Sequence, residues 1–135
     1  MSLSDTLTEP ASLSDLVQAA THLSRANAEA AYRDWIDANP ADPQLYIAHF
    51  NHACLLGDLG QNPAAMAALD AALAINPDFL PARINLGSLM ERAGAPEQAL
   101  NHWQDVAQRL VAVTGHAITY KVTALRHMAR LLLEH

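Results

Sequence analysis

The stretch Pro81–Trp103, which reads PARINLGSLMERAGAPEQALNHW, decides the fold of this chain. It contains a Leu-Gly pair that ends at Gly87, a further glycine at Gly94, and Ala99 four residues before Trp103. This order is typical of two helices that are joined by a tight turn and cross at small residues. The stretch therefore predicts a helical hairpin in which Gly87 and Ala99 face each other.

The same pattern occurs 34 residues earlier in the chain. A shift of 34 residues aligns Asn51 with Asn85, Ala53 with Gly87, Gly60 with Gly94, Ala65 with Ala99, and Leu69 with Trp103. This is the period of tetratricopeptide repeats, in which each repeat is one helical hairpin. We therefore expect an all-α fold, a right-handed α-solenoid of stacked helix pairs.

Proline, glycine and capping residues divide the chain into seven predicted helices. They are expected at residues 12–23, 27–38, 43–58, 63–75, 80–93, 96–113 and 116–134. Ser12, Asn27 and Asp42 are the expected N-caps of the first three helices. The domain prediction is a flexible tail at 1–11 and a repeat domain at 12–135, with a degenerate pair at 12–40, repeats at 46–79 and 80–113, and a half-repeat at 116–134.

The chain is acidic, and its charge is unevenly distributed. The formal net charge is −6, with ten acidic and two basic residues in positions 1–78. Nucleic-acid binding depends on a basic footprint, so this charge argues against a nucleic-acid partner. The sequence also lacks an apolar run that could span a membrane and a secretory signal, so we expect no membrane partner and a cytoplasmic location.

Residues that could carry out catalysis are poorly represented. Cys54 is the single cysteine, and we expect it to be an inert thiol on a helix. His49 and His52 are three residues apart and could share a helix face, which leaves a metal site as an alternative to packed histidines. No carboxylate or thiol at a ligand spacing completes that shell, so we expect no catalytic, cofactor or metal site.

The first helix of each stacked pair lines a concave groove in such arrays. The predicted peptide-binding groove comprises Ile47, Phe50, Asn51, Cys54, Asp58, Ile84, Asn85, Ser88, Glu91, Arg92, Arg126, His127 and Arg130. Asn51 and Asn85 occupy equivalent positions, so we expect their amides to lie along one line and hydrogen-bond a peptide backbone. The alternative is that asparagine simply tolerates a solvated helix face.

The last predicted helix matches the Leu86-Gly87 helix at an offset of 42 residues. It carries an apolar row of Leu125, Met128 and Leu132, and no predicted partner helix follows it. Either this helix is a cap, or the sequence is the N-terminal part of a longer protein. We favour the second interpretation. An uncovered apolar row also predicts self-association through this helix.

The run Ala82–Trp103, with its Asn-Leu-Gly triplet, resembles the tetratricopeptide arrays of protein O-linked N-acetylglucosamine transferases. Residues 32–35 (YRDW), 76–82 (NPDFLPA) and Trp103-Gln104 are similar to the N-terminal segment of bacterial SPINDLY-like members. The resemblance implies that the array recruits protein substrates through asparagine rows, while a separate C-terminal domain transfers the sugar. His127 occupies the position at which the next asparagine of the row is expected, so the asparagine row is shorter in this chain.

Three functional hypotheses follow. The first is a non-catalytic module that recruits proteins for a SPINDLY-like glycosyltransferase. The second is a free-standing scaffold or adaptor without an enzymatic domain. The third, an enzyme within these 135 residues, lacks a set of residues that could form its site.

Overall fold

The structure is a computed structural model that describes residues 11–109 and 115–134, with side chains of the last helix described for residues 123–133. All secondary structure in these residues is helical, which confirms the predicted all-α fold. The helices are α1 (Leu13–Ala20), α2 (Arg25–Ala38), α3 (Leu45–Asp58), α4 (Asn62–Ile75), α5 (Leu80–Arg92), α6 (Pro96–Arg109) and α7 (Gly115–Glu134).

The chain divides into two compact units, Met1–Ile75 and Asn76–His135. In the first unit, α2 packs against α1 and α3, and α3 also packs against α4. In the second unit, α6 packs against α5 and α7. Sequential helices within each unit therefore form the packed pairs that a helical repeat predicts. The right-handed solenoid stays a prediction.

Serine side chains set the beginnings of the first two helices. Ser12 Oγ accepts a hydrogen bond from the backbone N–H of Asp15 at 3.1 Å, as the capping pattern predicted. The prediction that Asn27 caps the second helix was wrong. Ser24 is the N-cap, and its Oγ accepts from the backbone N–H of Asn27 at 3.2 Å. Because this serine satisfies that N–H, the helix begins at Arg25.

The third helix also begins later than predicted. Asp42 was expected to cap a helix beginning at Pro43, whereas α3 begins at Leu45 with Gln44 as its N-cap residue. Asp42 Oδ1 instead accepts a hydrogen bond from the backbone N–H of Gln44 at 2.8 Å. A bond to the residue two positions ahead closes a local turn, so Asp42 ends the loop before the helix.

Glycine in the left-handed region ends α3 and α5. Gly60 has φ 78° and Gly94 has φ 73°, conformations that a residue with a Cβ adopts only with strain. These are the two turn glycines that the repeat alignment predicted. Of the other predicted ends, α1 stops at Ala20 rather than residue 23. The predicted end of the sixth helix at residue 113 lies outside the described residues.

Each unit has a core of its own. The first is built from Leu13, Leu16, Tyr32, Trp35 and Ala48, and the second from Ala99, Trp103, Val106, Ala124 and Leu131. The predicted small packing residues are buried: the exposed fraction is 3% for Ala53 and 0% for Ala65. The absence of a side chain at Gly87 is needed, because a Cβ there would lie 2.6 Å from Trp103 Cζ2.

Gly87→Ala is expected to destabilise the protein by about 1–3 kcal/mol, because the indole of Trp103 would have to move out of a filled core. Gly57→Ala is the matched control, since a Cβ at that helical position meets nothing within 4 Å. Alanine favours the helix more than glycine does, so the control should be neutral or up to about 1 kcal/mol more stable. Urea unfolding followed by tryptophan fluorescence measures both variants, and equal effects would contradict the packing argument.

Candidate partner-binding surface

Four of the predicted groove residues of the first unit form one stripe along α3. Ile47, Asn51, Cys54 and Asp58 are spaced by four, three and four residues, which places them on one helix face. Ile47 packs against the core of the first unit. Asp58, at the other end of the stripe, is exposed and lies 3.9 Å from Arg25 Nε. The stripe therefore runs from an apolar end to a charged end.

Asn51 lies in the middle of this stripe and is held by a residue of α2. Its Nδ2 donates a hydrogen bond to the Tyr32 hydroxyl at 3.3 Å in a partly buried position. Burial raises the pKa of Tyr32, the Asn51 bond lowers it, and Cys54 raises it further, so the phenol is protonated at neutral pH. Phe50 and Cys54 are half-buried and also interact within the protein. The Asn51 amide is therefore oriented rather than free in solvent.

The predicted groove residues of the second unit lie in more varied environments. Ile84 packs against the core, while Asn85 and Ser88 are half-buried. Asn85 also takes part in an interaction within the protein. Arg92 and Arg126 are exposed. Asn51 and Asn85 belong to different units, so their alignment along one groove stays a prediction.

Glu91 joins all three helices of the second unit. Its Oε2 accepts a hydrogen bond from Trp103 Nε1 at 2.7 Å and lies 2.9 Å from His127 Nδ1. Its Oε1 pairs with Arg130. The Glu91 side chain is only 12% exposed. The sequence placed Glu91, His127 and Arg130 on a peptide-binding surface, and the structure brings them together around one carboxylate.

His127 stacks on Trp103, with the two ring planes 9° apart and their centres separated by 4.4 Å. Burial, followed by the positive charge of Arg126, lowers the pKa of His127. The lowered pKa favours a neutral His127 ring at neutral pH. Its Nδ1 lies 2.9 Å from both Glu91 Oε2 and Arg130 Nη2, and the tautomer decides whether it donates to the carboxylate or accepts from the guanidinium.

A second polar cluster connects α5 with α6, and the sequence analysis did not predict it. Arg83 Nη1 donates to Asp105 Oδ2 at 2.9 Å, and its Nε donates to the Pro77 carbonyl at 2.7 Å. Arg109 pairs with Asp105 at 3.0 Å and with Asp78 at 3.1 Å. Burial and the neighbouring Arg109 lower the pKa of Arg83, although a guanidinium remains charged at neutral pH.

In the first unit, Glu29 makes the polar contact that connects α2 with α3. Its Oε2 lies 2.7 Å from His52 Nε2, and both of its carboxylate oxygens accept from Arg33, at 3.1 and 3.3 Å. The side chains of Glu29 and His52 are 12% and 13% exposed. His52 is thus a packed histidine that ties α3 to α2. Among the described residues, no group of three or more His, Cys, Asp or Glu side chains is arranged to hold a metal ion.

A cleft of about 450 Å³ opens between α2, α3 and α4 in the first unit. His49, His52 and Leu56 line it from α3, roughly half a helical turn away from the stripe. Burial lowers the pKa of His49, and the neighbouring His52 lowers it further, so the His49 imidazole is neutral at neutral pH. The sequence analysis identified this histidine pair but did not predict the cleft.

Comparison with protein-family models gave no match, and a search of curated proteins found no relative. The resemblance to tetratricopeptide and SPINDLY-like arrays therefore rests on the residues quoted above and stays a prediction. None of the helices in the described part of the chain is long and apolar enough to cross a membrane.

Glu91→Gln is expected to destabilise the protein by about 1–3 kcal/mol. Both carboxylate oxygens of Glu91 face donors, whereas glutamine offers one oxygen and turns an NH₂ group toward the other donors. Glu97→Gln is the matched control, because Glu97 is exposed in the first turn of α6, where the same change costs below about 1 kcal/mol. Urea unfolding at pH 7.5 compares the two, and an equal cost would contradict the role of Glu91.

Proposed function

We propose that this chain is a protein–protein interaction module that binds a polypeptide partner along the α3 stripe. In the second unit, the predicted contacts on α5 are Ile84, Asn85 and Ser88. The 34-residue spacing of the small packing residues supports this proposal, since helical-repeat proteins use the first helix of each pair as a binding surface. The charge of the first unit adds a preference. Residues 1–75 carry nine acidic and two basic residues, so a partner with basic residues is favoured.

The observation that carries the proposal is the environment of Asn51. One N–H of its amide is committed to Tyr32, which fixes the orientation of the group on a partly buried helix face. An amide has a second N–H and a carbonyl oxygen, so it can still donate to and accept from a peptide backbone. A pre-oriented side chain loses less entropy on binding than a freely rotating one.

The narrower proposal is that the module recruits substrates for a SPINDLY-like protein glycosyltransferase. Its support is the resemblance of residues 28–134 to the N-terminal array of that family. In this proposal, the chain positions a protein substrate, and the sugar transfer takes place in a separate domain. No residue of the chain is assigned a catalytic role.

The alternative proposal is a free-standing scaffold or adaptor. The observation that bears on it is the last helix, which packs through Ala124 and Leu131 but leaves Leu125 46% and Leu132 62% exposed. Met128 is half-buried against the core of the second unit. A free-standing scaffold requires α7 to be a finished cap and the chain to be a monomer, so concentration-dependent association of two chains through these exposed leucines would count against this proposal.

Asn51→Ala should weaken peptide binding about 2- to 12-fold, the equivalent of the roughly 0.5–1.5 kcal/mol that one hydrogen bond contributes. Tyr32→Phe is the matched control, because it removes the same 3.3 Å bond but leaves the amide in place. The probe is a peptide selected from a random library against the immobilised chain, and fluorescence anisotropy measures its affinity for each variant.

The two variants separate a binding role from a structural one. Tyr32→Phe should lose less affinity than Asn51→Ala, because it removes only the orienting bond and leaves the amide in place. If both variants lost equal affinity and equal free energy of unfolding in urea, the Asn51–Tyr32 bond would only maintain the fold, and the proposed role of Asn51 would be wrong. Failure of the wild-type chain to select any peptide would contradict the interaction module itself.

A further inference from the structure

The cleft of the first unit has two chemically different walls. Its α2 wall carries charged side chains, Glu29, Arg33 and Asp37, whereas its α4 wall consists of Ala64, Ala67, Ala68 and Ala71. The volume of about 450 Å³ lies within the range of roughly 300–1,000 Å³ that is usual for ligand sites. The cleft is therefore large enough for a long side chain with an apolar stem and a polar end.

This cleft is separate from the α3 stripe. His49, His52 and Leu56 face the cleft, and their positions lie about half a turn from those of Ile47 and Asn51. A ligand in the cleft would therefore contact the opposite face of the same helix. What binds there does not depend on the interaction proposed for the stripe.

The charges around the cleft favour a cation. Arg25 and Arg33 are the two basic residues of the first unit, and they pair with Asp58 and Glu29. Asp37 is exposed at the cleft, and no ion pair to it occurs within the described residues. Arg33 also lies at this cleft, but Glu29 already balances its charge. The carboxylate of Asp37 is thus left to attract an external positive charge.

His49 adds a hydrogen-bond acceptor inside the cleft. Its imidazole is half-buried and has no hydrogen-bond partner in the part of the chain that the structure describes. Because its pKa is lowered, the ring is neutral at neutral pH, and one of its nitrogens can accept a hydrogen bond. His52, the other histidine of the cleft, is already engaged with Glu29.

We propose that this cleft binds an arginine or lysine side chain presented by a partner polypeptide. The cationic end group donates hydrogen bonds to the Asp37 carboxylate and the His49 imidazole. The methylene stem lies against the alanine wall of α4, in the way that long basic side chains cover apolar surface while their charge stays near water. This gives the chain a second contact surface, on the face of α3 opposite the stripe.

The test uses blocked pentapeptides in which four alanines surround a central arginine, glutamate or norleucine. Chemical shifts of the imidazole protons and alanine methyl groups are followed by NMR at pH 7.5 and physiological salt. The arginine peptide is expected to bind with a dissociation constant in the millimolar range and to shift resonances of His49 and Ala67. The glutamate and norleucine peptides are expected to shift neither. Equal shifts with glutamate, or none with arginine, would overturn the proposal.

Two pairs of variants localise the binding. Asp37→Asn should raise the dissociation constant about two- to fivefold, as expected for one exposed ion pair. Asp34→Asn makes the same charge change on the same helix away from the cleft, and it should leave the constant close to that of the wild type. Equal effects of the two variants would overturn the proposed role of Asp37.

Ala67→Leu fills the cleft from an exposed position of α4 and should abolish the shifts, whereas Ala74→Leu, exposed outside the cleft, should not. Circular dichroism verifies that both leucine variants remain folded. Binding that survives in Ala67→Leu would place the arginine elsewhere and overturn the proposal. Free agmatine that binds as tightly as the arginine peptide would overturn the polypeptide partner in favour of a small cation.

Discussion

The close approach of Trp103 to Gly87 is the contact on which the second unit depends. A Cβ at Gly87 would lie 2.6 Å from the indole, so the ring can occupy this position only against glycine. From there its Nε1 reaches Glu91 at 2.7 Å, and its face stacks on His127. Glu91 in turn pairs with Arg130 of α7. One missing side chain thus allows three helices to share a single buried aromatic ring and one carboxylate.

The first unit has different residues at the positions that correspond to Gly87 and Trp103. Ala53 and Leu69 take the repeat positions of Gly87 and Trp103, and both are almost fully buried. The side chain of leucine has no N–H to donate, so the polar contacts between helices in this unit are made by other residues. They connect α2 with α3 through Glu29 and His52 on one side and through Tyr32 and Asn51 on the other. The second of these bonds orients the amide on which the proposed function rests.

Features that depend on local sequence could be predicted, whereas side-chain contacts between different helices could not. The turn glycines, the small packing residues and most helix limits follow from periodicity and from backbone conformation. The N-cap at Ser24 was missed because Ser24 and Asn27 both suit that role and only the three-dimensional path of the backbone separates them. The internal contacts of Glu91 could not be predicted, because helical spacing alone does not reveal that the indole N–H of Trp103, on the next helix, donates to its carboxylate. The cleft beside His49 is formed by three helices, so no single stretch of sequence predicts it.

The central claim is that this chain acts through binding to other proteins. The most direct measurement is the native mass of the polypeptide in gently lysed cells of its source, compared with its mass after denaturation. Size-exclusion chromatography with an antibody against residues 11–109 gives the first value, and a denaturing gel gives the second. The interaction account predicts a native mass well above the denatured one, with a second polypeptide cross-linked to the α3 stripe. Elution at the mass of a single chain, with no cross-linked protein, would contradict it.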